Sequence, residues 1–154
     1  MSLNIVLFQP EIPQNTGNIA RTCVVTNSPL HIIKPMGFSL DEKHIRRAGL
    51  DYWKYLNLTV YESAEEFFEQ HKDAVFRFFT TKAKKTFDEI DYPDNCFLAF
   101  GKETAGLPGE LIKAREDECV RIPMYKDRRC LNLSNAVCTA VYAAMREHNY
   151  FDLR

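Results

Sequence analysis

Glycine is scarce in these 154 residues, six in all, and tryptophan occurs once. So few glycines, with 45% hydrophobic and 27% charged residues, exclude collagen-like repeats and disordered low-complexity tracts. No apolar run approaches the ~18 residues of a membrane span. Met1 to Pro10 lack the basic start and long apolar stretch of a signal peptide, so a cytoplasmic location without a membrane partner is expected. Charge of one sign is missing too: 20 Lys+Arg stand against 21 Asp+Glu, a net of -1, which argues against indiscriminate binding to polyanions, DNA included. The five cysteines are odd in number and never spaced Cys-x-x-Cys, so neither a disulfide framework nor a zinc knuckle is expected. His31, His44, His71 and His148 show no ligand spacing, and no metal is expected. Both glycine-rich nucleotide fingerprints are absent, as is the Gly-x-Ser-x-Gly nucleophile elbow.

What is present is an alternation. A chain of this length has the size of one domain, residues 1–154. Leu3–Phe8, Leu30–Ile33, Leu58–Tyr61, Val75–Thr80, Cys96–Phe100 and Cys119–Ile122 are short runs rich in branched and aromatic residues and read as strands. Between them Asn15–Thr26, Leu40–Ala48, Ala64–His71, Pro108–Glu116 and Ser134–His148 read as helices. Ser63 and Glu66 form a capping box, and Pro108 suits a first helical turn. Repeated βα units predict an α/β fold with a mostly parallel sheet covered by helices on both faces. Ligands of such sheets bind beyond the carboxyl ends of the strands, so the segments just after strands carry the functional information.

Three such segments stand out. PEIPQNTGNIAR places Asn15, Thr16 and Asn18 as helix caps or polar contacts and Arg21 six residues after Asn15, within reach of one shared pocket; a capped helix with a surface arginine is the plainer alternative. FGKETAGLPGE holds Gly101, Gly106 and Gly109, which permit close backbone approach, around the lone carboxylate Glu103. RIPMYKDRRCLNLSNA joins a strand to the last helix through a basic loop, and Asn132, Ser134 and Asn135 sit at that helix's N-terminus, where exposed N–H groups suit an anion.

Taken in order, PEIPQNTGNIAR, HIRRAGLDYWKY, FGKETAGLP and IPM followed by CLNLSNAV closely resemble the SpoU branch of the SPOUT methyltransferases, from about Leu3 to Tyr150. The resemblance implies a homodimer whose α/β sheet ends in a C-terminal deep trefoil knot. It implies S-adenosylmethionine as methyl donor, S-adenosylhomocysteine as product, and as acceptor the ribose 2′-hydroxyl of the wobble cytidine or uridine in the tRNA anticodon stem-loop, in leucine tRNAs. Matched position by position, the donor would contact Phe79, Gly101, Ile122 and Cys130. Relatives usually carry Ser where this chain has Cys130, a weaker hydrogen-bond partner. Asn15, Arg21, Glu103, Asn132 and Ser134 map onto the catalytic side. The family's proposed base is Arg21, yet a guanidinium keeps its proton at neutral pH. A clamp on phosphate and hydroxyl is therefore the preferred role for Arg21, with Glu103 and Asn132 orienting it. A noncatalytic RNA-binding or dimerisation module on the same fold is the competing reading.

Contacts to tRNA are expected from Arg46, Arg47, Lys82, Arg128 and Arg129, basic residues of loops near the proposed site, while Glu62, Glu65, Glu66 and Glu69 collect on one helix. Tyr52, Trp53 and Tyr55 follow Arg46 and Arg47 and offer rings for an unstacked base, although Trp53 suits packing better.

Overall fold

The structure is a computed structural model that describes residues 2–41 and 51–154. The expected helix Leu40–Ala48 and the candidate contacts Arg46 and Arg47 fall mostly or wholly outside the described residues. Among the described residues seven strands form one sheet: β1 Asn4–Phe8, β2 Leu30–Ile33, β3 Leu58–Tyr61, β4 Phe76–Phe79, β5 Lys85–Thr86, β6 Phe97–Phe100 and β7 Cys119–Arg121. Every pairing is parallel, in the order β3-β2-β1-β6-β4-β7-β5. β1 sits near the middle, Ile5 in register with Leu30 on one side and Leu98 on the other. Its near-continuous apolar run is what a strand covered on both faces needs, and Ile5, Val6 and Leu7 are fully buried.

Among the described residues four α-helices cover the sheet: α1 Pro13–Val25, α2 Ala64–Gln70, α3 Gly109–Ala114 and α4 Leu133–Arg146. Two apolar layers result. One holds Ile19, Ala20 and Cys23 of α1 with Val137, Ala140, Val141 and Ala144 of α4. The other holds Phe67 of α2, Leu111 and Ile112 of α3, and the aromatic faces of β4 and β6. α1 and α4 touch, which the alanines Ala20, Ala140 and Ala144, all buried, permit at close range.

Local sequence explains most boundaries. Pro13 opens α1 at a position whose missing N–H costs nothing. Ser63 Oγ accepts from Glu66 N at 3.1 Å, but the Glu66 carboxylate reaches Glu62 N at 2.7 Å rather than closing the box on Ser63. Pro108 is the residue before α3 rather than within its first turn, and a 3-10 turn at Glu116–Glu118 separates α3 from β7. The short β5 lies in Thr81–Pro93, where periodicity offers no signal; among the described residues it pairs with β7 alone. Among the described residues no helix is long and apolar enough to cross a membrane.

Candidate functional site

β1, β6, β4 and β7 are neighbours or near neighbours in the middle and one half of the sheet, so the loops leaving their carboxyl ends meet. They enclose a cleft of about 720 Å³, a size suited to a cofactor or small ligand. Its walls come from Ile12 and Asn15 after β1, Phe79 to Lys82 after β4, Phe100 to Leu107 after β6, and Ile122, Met124 and Arg129 to Leu133 after β7. The stacked rings of Phe79 and Phe100, 4.8 Å apart, form part of the apolar floor.

Glycine is required at Gly101. A Cβ there would lie 1.9 Å from the carbonyl carbon of Gly106 and 2.0 Å from Leu107 N, so the loop doubles back directly over the end of β6. Gly106 N donates to Lys102 O at 2.8 Å, and Gly106 takes a left-handed φ of 69°. The turn thus leaves Glu103 and Thr104 at its tip, facing the β1 loop.

Glu103 is no solvated bystander. Its two oxygens accept from Glu11 N at 2.8 Å, Ile12 N at 2.9 Å and Asn15 Nδ2 at 3.3 Å. The α1 N-terminus is therefore served by a carboxylate from another loop, not by the caps expected from Asn15, Thr16 or Asn18; Ile12 at the cap position has no side-chain acceptor to offer. The grip is reciprocal. Glu11 Oε1 accepts from Thr104 Oγ1 at 2.7 Å and Thr104 N at 3.2 Å. The Thr104 hydroxyl and then its amide hold the Glu11 carboxyl below the usual carboxylate range.

Asn15 Oδ1 in turn accepts from Asn132 Nδ2 at 3.0 Å. Asn132 Oδ1 accepts from Ser134 N at 3.0 Å, Ser134 Oγ at 2.6 Å and Asn135 N at 3.3 Å, capping α4. One polar line thus runs Glu103–Asn15–Asn132–Ser134 across three loops. It brings together four of the five residues expected on the catalytic side.

Arg21 is the exception. It is exposed and not part of the cleft wall. Six residues along a helix turn a side chain roughly 120° away from the starting face, so Arg21 and Asn15 do not look into the same space. Nor is Arg21 oriented by Glu103 or Asn132, whose bonds go elsewhere. Its NH2 group donates to Tyr52 Oη at 3.3 Å and its guanidinium lies 4.7 Å from the Tyr52 ring centre. Tyr52 is thereby a support for Arg21, whereas Tyr55 is exposed and Trp53 packs partly on the core.

All four expected donor contacts, Phe79, Gly101, Ile122 and Cys130, line the cleft, together with Lys82 and Arg129. Arg128 lies outside it, and Ser134 stands behind Asn132. Cys23, Cys96 and Cys119 are buried, Cys138 is half-buried and Cys130 is exposed, all as free thiols. Glu11 and Thr104 went unmarked at the level of sequence, because nothing in their spacing announces a partner some ninety residues away. Among the described residues no cluster of His, Cys, Asp and Glu could hold a metal ion.

The arrangement has counterparts. The SpoU rRNA Methylase family profile matches residues 2–142. A protein of Escherichia coli (strain K12) named tRNA (cytidine(34)-2'-O)-methyltransferase is 46% identical over 149 residues, 96% of this chain and 95% of that one. A crystal structure from Bacillus anthracis superposes with a TM-score of 0.94 at 47% identity, covering 99% of this chain and 98% of the other. A structure described as giving insights into the 2-OH methylation of C/U34 on tRNA has a TM-score of 0.91 at 40% identity, covering 96% and 97% of the two chains.

Proposed function

The chain belongs to the SpoU methylase family and is a methyltransferase, and from that premise we propose that it moves the methyl group of S-adenosylmethionine to the ribose 2′-hydroxyl of the wobble cytidine or uridine in tRNA, leucine tRNAs first among them. The observation that carries the reading is the cleft itself: a glycine pinch at Gly101 and the Glu103–Asn15–Asn132 line meet on one wall. The names of the E. coli relative and of the structure concerned with C/U34 support the acceptor.

The cleft suits the donor on its own chemistry. Phe79, Leu107, Ile122 and Leu131 offer apolar walls for a purine, and loop backbone at Gly101, Ile122 and Cys130 offers polar contacts that survive the replacement of Ser by Cys. When bound, S-adenosylmethionine supplies an electrophilic methyl carbon on a positively charged sulfur. Asn15 and Asn132 are fixed by their mutual bond and hold the polar edge of the cleft in one geometry, which matters because transfer needs the acceptor oxygen in line. Arg21, steadied over Tyr52 outside the cleft wall, draws a phosphate of the RNA. A guanidinium is no proton acceptor, and the hydroxyl proton leaves to phosphate or water.

Homodimerisation, the trefoil knot, a single domain over 1–154 and a cytoplasmic location belong to the same proposal, as do tRNA contacts from Arg46, Arg47, Lys82, Arg128 and Arg129. The test is mass spectrometry of nucleosides from tRNA incubated with protein and donor. Ribose-methylated cytidine or uridine is expected, and methyl on a base would overturn the reaction. Arg21→Lys is expected to lower kcat/KM at least tenfold, since a point charge lacks the guanidinium fork. Full turnover would remove the clamp.

A further inference from the structure

Tyr125 is 81% exposed, more than any other large hydrophobic residue among those described. An isolated exposed ring means little by itself, but three features set this one apart. It lies at the rim of the cleft: Met124 before it and Arg129 and Cys130 after it are cleft walls. It starts a tight turn in which Arg128 N donates to Tyr125 O at 3.3 Å and Asp127 adopts a left-handed φ of 64°, so the ring is carried on a reversal of chain rather than on a loose strand. The turn is also cationic, with Lys126, Arg128 and Arg129 within four residues of the ring, and the Arg128 guanidinium stands 5.9 Å from the ring centre.

We propose that Tyr125 is a stacking platform for a nucleobase that flanks the methylated nucleotide, with Arg128 and Arg129 taking the adjoining phosphates. This rests on the reading of the substrate as single-stranded RNA of an anticodon loop. A ribose presented to the cleft forces its neighbours out of the regular stack, and an unstacked base regains that contact on an aromatic face. The phenol ring can do so at small ordering cost, having only two side-chain torsions to fix. Cations beside the ring match the phosphates that accompany any base arriving there. With most of its surface in water the ring adds little to the core.

The experiment uses the full chain and an anticodon stem-loop RNA carrying 2-aminopurine next to the wobble nucleotide. Wild type is expected to change the probe's fluorescence on binding and to methylate the RNA. Tyr125→Ala and Tyr125→Leu are expected to lose the fluorescence change and to raise KM for RNA about tenfold or more, with the dissociation constant for S-adenosylmethionine unchanged; Tyr125→Phe restores both. An unchanged KM in Tyr125→Ala, full function in Tyr125→Leu, or a halved mass of Tyr125→Ala in sedimentation, which would make the ring a contact between copies, each overturns the platform while leaving the methyltransferase reading intact. A wild-type protein that methylates no RNA overturns the substrate reading and the platform with it.

Discussion

Glu103 shows how one side chain links folding to chemistry. Three donors from the β1 loop and the start of α1 converge on its two oxygens. An amide offers one acceptor oxygen and turns an NH2 group toward the rest. Glu103→Gln should therefore destabilise the protein by about 1–3 kcal/mol, read in urea titrations, and lower methyl transfer at least tenfold, because Asn15 loses its anchor. Gly101 acts through absence of a side chain. Gly101→Ala must push Gly106 and Leu107 off the end of β6, at about 1–3 kcal/mol for overpacking. Donor binding, followed by calorimetry, is expected to vanish while the far-ultraviolet dichroism keeps its shape. Glu103 and Gly101 were legible in the sequence as an acid within a glycine-rich stretch after a strand. That the acid would hold a distant helix N-terminus was not, because hydrogen bonds at ninety-residue separation leave no periodic trace.

At the level of elements, the βα alternation was readable because each strand is a compact apolar run and each helix has a start signal. β5 escaped because a two-residue edge strand has no period. Arg21 stands outside the cleft wall because six residues do not return to the same helix face. Its actual support, Tyr52, comes from the 3-10 region beyond β2. Asn132 performs two tasks that substitution can separate. Oδ1 caps α4, and Nδ2 holds Asn15. Asn132→Ala removes both and should cost about 1 kcal/mol of stability for the cap along with turnover. Asn132→Asp keeps the acceptor but sets an oxygen against Asn15 Oδ1. Near-native thermal stability with strongly reduced kcat is the expected pair of results.

Across the whole molecule the two faces of the sheet differ in their response to acid. Opposite α1 and α4, His31 Nδ1 meets Tyr61 Oη at 2.9 Å, and Tyr61 Oη meets His71 Nε2 at 2.9 Å. Burial, and then the neighbouring His71, hold His31 down to about 4 from an ordinary 6.5, and burial lowers His71 as well. Both rings bind a proton more readily in the unfolded chain. The stability they permit is complete above pH 6.5 and is lost as the pH falls through about 4, by roughly 3 kcal/mol for His31 alone. Urea midpoints measured from pH 7 to pH 4 should show this fall, and His31→Leu should flatten it.

The bond from Asn132 to Asn15 spans 117 positions. The last strand ends at Arg121, yet Arg129 to Leu133 still form part of the cleft wall. A ribosome must therefore have released the chain through Leu133 before the chamber closes. Nascent chains that stop short of Leu133, even with all the described strands in place, lack part of the wall that encloses the reactant, so competence arrives well after the sheet is complete.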